Sequence, residues 1–184
     1  MKKKLKKILP PKVFFFLKNK LKRDFDEILI INKFLTNKKG VMFDVGSLDG
    51  SSFMPFLLKG WQVFAFEPDN ANYHAISKYL KKWNLKANLT KKAVSNTNES
   101  QMFYTSTSSR GIPSLLKFNK DQVPSYEVST IKLMDFIESN KIKTIDFLKI
   151  DIEGYDLMAL KGLDFSRLKP KIIMCEFEDK KPSF

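Results

Sequence analysis

Val41-Met-Phe-Asp-Val-Gly-Ser-Leu-Asp-Gly-Ser-Ser52 is the stretch on which the fold of this 184-residue chain turns. Val41 to Val45 is short and mostly apolar, the pattern of a strand buried on both faces. Gly46 and Gly50 break the run, and Ser51 or Ser52 is placed to cap a following helix. A strand, a glycine-bearing turn and a helix start together suit an anion or a nucleotide. The glycines allow tight backbone paths, and helix amides can face the ligand. Asp44, at the carboxyl end of the strand, can accept hydrogen bonds from a cationic or hydroxyl-bearing ligand.

Outward from this stretch, Gln62 to Phe66 is a second apolar strand ending at Glu67-Pro68. Glu67 stands 21 residues after Gly46. In doubly wound folds an acid about 20 residues past the first turn accepts hydrogen bonds from both ribose hydroxyls of a nucleotide. Loop and acid together say more than either alone. Gly46 and Gly50 do not make the Gly-x-Gly-x-x-Gly pattern, and the missing third glycine argues against a nicotinamide dehydrogenase.

Asp44-Val-Gly46-Ser-Leu-Asp-Gly50-Ser-Ser52, Phe66-Glu67-Pro68, Lys92-Ala-Val-Ser95, Leu148-Lys-Ile-Asp151-Ile-Glu153-Gly154 and Leu160-Lys-Gly162 form a series that resembles the FkbM-type methyltransferases. The resemblance covers roughly residues 40–178, and Lys149-Ile-Asp151-Ile-Glu153-Gly154 is its most specific motif. It implies an α/β fold with a Rossmann-like, doubly wound, mostly parallel sheet of the class I S-adenosylmethionine (SAM) methyltransferase type. The family ordinarily has Ala-Asn after the first glycine; this chain has Ser47-Leu48.

The remaining elements follow the same alternation. Ser52 to Lys59 reads as a short helix with Pro55 in its first turn. Asp69 or Asn70 starts a helix along which Tyr73, Ile76, Leu80 and Trp83 recur at spacings of three and four, leaving His74 on the exposed side. Asn88 to Val94 reads as a third strand. Met102 to Thr105 and Tyr126 to Ile131 are further strands, and between them Ser106 to Ser114 is a polar loop. That loop is either a surface connection or an acceptor loop, with Arg110 its best group for an anionic acceptor. Leu133 begins a helix that stops near Asn140. Ile145 to Ile150 is a fourth core strand leading to Asp151 and Glu153, which would share a side if the strand continued. Otherwise they are acids at the start of a helix over 154–161. Lys171 to Phe177 is a fifth strand. A sheet of this type ordinarily carries two further strands. The reading therefore expects a shortened domain over 40–184, or a partner chain or oligomer contact at the open edge.

Residues 1–39 read as a basic arm with an amphipathic helix over about 13–36. Residues 1–23 hold ten Lys or Arg and no acid, which leaves 23 basic against 20 acidic residues in the remainder. The net charge of +13 thus belongs mainly to the arm, and the near-balance after residue 23 argues against nucleic acid as the partner. The helix either packs on the sheet or makes a peripheral membrane contact through Phe14, Phe15 and Phe16 beside basic residues. The expected location is cytoplasmic, at the inner membrane face if the arm touches lipid. A single His74 and a single Cys175 exclude ordinary His/Cys zinc sites within one chain, and no metal site is read.

The resemblance assigns the roles. Gly46, Gly50 and Ser51 shape the loop around the methionine part of SAM, and Asp44 contacts its amino group directly or through water. Glu67 takes the ribose, and Ala93, Val94 and Ser95 form part of the adenine pocket. Asp151 or Glu153 orients the acceptor or takes its proton. The expected reaction is O-methylation of a sugar, a glycan or a related small-molecule hydroxyl. The alternatives are a catalytically impaired SAM-fold module that needs a partner chain, and a nucleic-acid methyltransferase.

Overall fold

The structure is a computed structural model that describes residues 9–14, 31, 34–35, 39–106, 113–117 and 120–176. Most of the basic arm, the stretch around Arg110 and the end of the expected fifth strand lie outside the described residues. The elements in chain order are β1 (Val41–Val45), α1 (Met54–Leu58), β2 (Gln62–Phe66), α2 (Asn70–Lys82), β3 (Asn88–Thr90), β4 (Ala93–Val94), β5 (Ser100–Ser106), β6 (Gln122–Ile131), α3 (Leu133–Ser139), β7 (Phe147–Ile150), α4 (Asp156–Lys161) and β8 (Ile172–Cys175).

One sheet has the order β3-β2-β1-β7-β8, and all its pairings are parallel. The order reverses direction at β1, with β2 and β3 on one side and β7 and β8 on the other. Such a switch point opens a crevice beyond the carboxyl ends of the central strands. This is the expected α/β architecture. A second sheet, β4-β6-β5, stands beside it, with β4 parallel and β5 antiparallel to β6.

Strand alternation sorts the core onto two faces. Phe43, Val45, Leu148 and Ile150 face one way and pack with Leu133, Phe136 and Ile137 of α3. Met42, Val63, Ala65 and Phe147 face the other way, against Met54 and Phe56 of α1, Phe53 and Trp61 beside it, and Ile76 and Leu80 of α2. The Phe136 ring lies 4.9 to 6.0 Å from those of Phe66, Phe64 and Phe43, in edge-on arrangements.

Three local expectations change. The strand expected over 88–94 is two: Asn88–Thr90 stays with β2, while Ala93–Val94 crosses to β6. Lys91 and Lys92 carry the chain between the sheets. Neither Ser51 nor Ser52 caps α1; its N-cap position is Phe53, which makes no side-chain capping bond. The Ser52 hydroxyl instead donates to the Asp44 carboxylate at 2.8 Å. Finally, β7 ends at Ile150, so Asp151 and Glu153 do not alternate along a strand. Asp69 does cap α2, accepting the Asn72 N–H at 2.8 Å.

Phe136→Ala is expected to lower the unfolding free energy by about 3–5 kcal/mol, because one ring holds α3 against three others. Urea denaturation checks this; a loss under about 1 kcal/mol would mean that the ring cluster adds little beyond its neighbours.

Candidate active site

The β1 turn is closed upon itself. Gly46 has φ +80°, and a Cβ there would lie 2.0 Å from the Asp151 carbonyl oxygen, so only glycine lets this turn pass the end of β7. The N–H groups of Gly46 and Ser47 both donate to the Phe66 carbonyl at 3.1 Å. Leu48 N–H donates to Glu67 at 2.6 Å, and Gly50 N–H to the Ser47 carbonyl at 2.7 Å. Ser51 N–H donates to the Asp49 carboxylate at 3.0 Å. The amides of Gly46, Ser47 and Leu48 thus brace the end of β2, and those of Gly50 and Ser51 bond within the loop. Leu48 has φ +49°, lies 54% exposed and overhangs the cleft. Asparagine tolerates that left-handed conformation better than leucine does.

Parallel register sets Asp44 of β1 opposite Lys149 of β7. Asp44 is sealed from solvent, and the Lys149 ammonium lies 3.8 Å from it and 3.0 Å from Asp151. Burial pushes the Asp44 carboxyl above the usual carboxylate range, against the pull of Lys149 and of the Ser52 and Ser47 hydroxyls. Burial also works against the Lys149 charge, but Asp44 and Asp151 outweigh it and hold the ammonium above the ordinary lysine range. Asp44, expected at a ligand amino group, accepts from Ser52 on Oδ2 and faces Lys149 with Oδ1, which has no hydrogen-bond partner among the described residues.

The crevice at the switch point is an open cleft of about 720 Å³, counting solvent-filled space. Of the residues expected at the site, Gly46, Glu67, Ala93, Val94, Asp151 and Glu153 line it; Asp44, Gly50, Ser51 and Ser95 do not. At one end Glu67 is 4% exposed, and its two oxygens accept N–H bonds from Leu48 and from Asp69 at 3.0 Å. The Asn72 side chain is a third donor to the carboxylate. Burial raises the Glu67 carboxyl to about 7 despite those two backbone donors. Val45, Phe66, Ala93, Val94 and Phe103 give the cleft apolar walls.

At the other end, Glu153 sits in a left-handed conformation, φ +58°. The buried Ser114 hydroxyl reaches the carbonyls of Ile152 and Glu153 at 3.1 and 3.0 Å, which ties the segment after the polar loop to this turn. Tyr155 adds a phenol that donates to the Gln101 side chain at 3.1 Å. Asp151, Glu153 and Glu176 bring carboxylate oxygens within 4.8 Å of one another, an all-oxygen set of the kind that hard divalent cations take. The acid in the first turn of α4 is Asp156, and its carboxylate accepts the Glu176 N–H at 3.3 Å. Asn72, Phe103, Ser114 and Tyr155 are cleft residues that the sequence reading did not single out. Only Asn72 carried a local signal, lying at the third residue of α2, just past the Asp69 cap.

The model of the methyltransferase FkbM domain matches residues 44–184. The chain belongs to the FkbM-type methyltransferase family. The cleft of this FkbM-type chain thus lies among residues covered by that match, from Val45 to Tyr155. Membership implies SAM as methyl donor. No curated protein matches the chain. A solved structure similar to this FkbM-type chain is a precorrin 8w decarboxylase from Methanobacterium thermoautotrophicum. It is 14% identical, with a TM-score of 0.42, over 83% of this chain and 63% of that one. The fold assignment rests on the sheet order itself.

Lys149→Met is expected to cost about 3–5 kcal/mol, because it leaves the buried Asp44 carboxyl without its counter-ion. Adding Asp44→Asn should recover much of that loss. Thermal or urea unfolding of the two single variants and the double variant reads the coupling; strictly additive losses would count against the pairing. Leu48→Asn should gain about 0.5–1 kcal/mol by easing the left-handed backbone, read by the same unfolding curves.

Proposed function

We propose that this chain binds SAM across the cleft and transfers its methyl group to a hydroxyl of a sugar, glycan or related small molecule. The observation that carries the reading is the layout of one cleft. A buried, hydroxyl-accepting carboxylate, Glu67, stands at one end. Two carboxylates, Asp151 and Glu153, stand at the other, and apolar walls lie between. The residues present suit the nucleoside half of SAM: the Glu67 carboxylate can accept from ribose hydroxyls, and Ala93, Val94 and Phe103 offer apolar walls for the base. When bound, SAM supplies a methyl group activated on a sulfonium.

The protein's own contribution is placement and proton handling. Holding the acceptor in line removes much of the entropic barrier. Asp151 is oriented by Lys149 at 3.0 Å and fits the task of holding an acceptor hydroxyl. Glu153 lines the same end and can take the proton released when the hydroxyl oxygen is alkylated. The proton then leaves to solvent through the open side of the cleft. Membership in the FkbM type supports oxygen as the acceptor atom. Ten basic residues in the first 23 support contact with an anionic membrane surface, where lipid-linked sugars reside. Among the described residues no helix is long and apolar enough to cross a membrane.

Calorimetric titration with SAM tests the reading. Micromolar binding that is lost in Glu67→Ala is the expected outcome; no binding by folded wild-type protein would sink it and favour a non-catalytic module. Binding should also depend on pH. Glu67 titrates near 7, and only the ionised form accepts from both hydroxyls. Affinity should therefore fall about tenfold for each pH unit below 7, and level off above it. The sign for stability is opposite. A buried acid with a raised value favours the folded state at low pH, and that contribution is lost as pH rises from 4.5 through 7. Titrations at pH 5.5, 6.5 and 8 separate these trends, and a flat affinity profile would count against Glu67 as the ribose acid.

A further inference from the structure

Glu67 is held by a chain of contacts that reaches the second sheet. Its Oε1 accepts the Asp69 N–H at 3.0 Å, and the Asn72 side chain also lies in hydrogen-bonding reach of the carboxylate. Asp69 uses one side-chain oxygen to cap α2 through Asn72 N–H at 2.8 Å. Its other oxygen accepts the Tyr126 hydroxyl of β6 at 2.5 Å. Tyr126 lies opposite Phe103 of β5, with ring centroids 5.7 Å apart, and Phe103 is a wall of the cleft. Asp69 is thus fixed from two sides, by its own helix and by a strand distant in sequence.

We propose that Tyr126 is a positioning residue for the nucleoside end of the cleft, acting through Asp69 to fix the Glu67 carboxylate that receives the ribose hydroxyls. This rests on the reading of Glu67 as the ribose acid. It adds that the second sheet supplies part of that site's geometry, although Tyr126 is not itself among the cleft-lining residues. The physical reason is the short tether. The Asp69 amide that bonds Glu67 belongs to the residue whose carboxylate Tyr126 holds, so loosening one loosens the other. A bond between a hydroxyl and a charged carboxylate is stronger than one between neutral partners, which suits it to holding a turn. Had Tyr126 only buttressed the sheets, its loss would weaken the fold and leave the ribose contact as it was.

The test couples residue to ligand group. S-adenosylhomocysteine and its 2′,3′-dideoxyadenosyl counterpart are titrated into wild-type protein, Tyr126→Phe, Asp69→Asn and the double variant, and each protein's thermal midpoint is recorded. Asn keeps the helix cap, so Asp69→Asn weakens the Tyr126 bond without removing the turn's anchor. The expected result is a loss of about three- to tenfold in affinity for S-adenosylhomocysteine in each single variant. The double variant should lose no more than the worse single one, and the dideoxy ligand should bind all four proteins equally. Equal losses for both ligands, or no loss for either, would overturn the proposal while leaving Glu67 as the ribose acid. Failure of folded wild-type protein to bind S-adenosylhomocysteine would overturn the cofactor reading and this inference with it.

Discussion

One buried positive charge organises the carboxyl edge of the main sheet. Lys149 is buried, and its charge is tolerable there because Asp44 faces it across the strand pair and Asp151 meets it at the edge. Removing either acid would weaken the field that keeps the buried ammonium charged. The three groups lock β1 to β7 in one register, since a slip by one residue would face Lys149 with an apolar side chain. They also fix the direction in which the chain leaves β7, and so where the turn at Asp151–Gly154 enters the cleft. Ser52, bonded to the same Asp44, draws the β1 loop into this arrangement.

The architecture was legible because it rests on local patterns. Val41–Val45, Gln62–Phe66 and Ile172–Cys175 are short, mostly apolar runs, and the helix beginning at Asn70 has its cap written beside it in Asp69. The position of Glu67 was legible for a geometric reason: a crossover of ordinary length returns the chain beside its first strand about twenty residues later. Asp151 and Glu153 entered through a motif, and the structure does bring both to the cleft, though by a turn with a left-handed residue and not by strand alternation.

What stayed hidden depended on the partner that each polar group finds in three dimensions. Nothing in the loop sequence says that the amides of Gly46 and Ser47 meet the Phe66 carbonyl, because that carbonyl belongs to another strand. Asp44 looked available to a ligand until the register placed Lys149 opposite it. The split of the third strand was invisible because Asn88 to Val94 reads continuously; the crossing happens at two lysines that carry no turn signal. Glu176 became a neighbour of Asp151 and Glu153 only through the pairing of β8 with β7.

That crossing makes the chain between Thr90 and Ala93 a spacer of fixed length. Ala93 and Val94 are both buried, and each must meet its own partner on β6 while Thr90 stays matched to Phe66. A residue inserted or deleted there would oblige one sheet to give up its pairing, or would turn the apolar wall of the cleft to the wrong side. Variation in length among related chains should accordingly avoid Lys91 and Lys92, although Lys91 lies exposed, where such changes are usually absorbed. Lys91, exposed, and Lys92, half-buried at the cleft wall, thus hold the two sheets at one spacing.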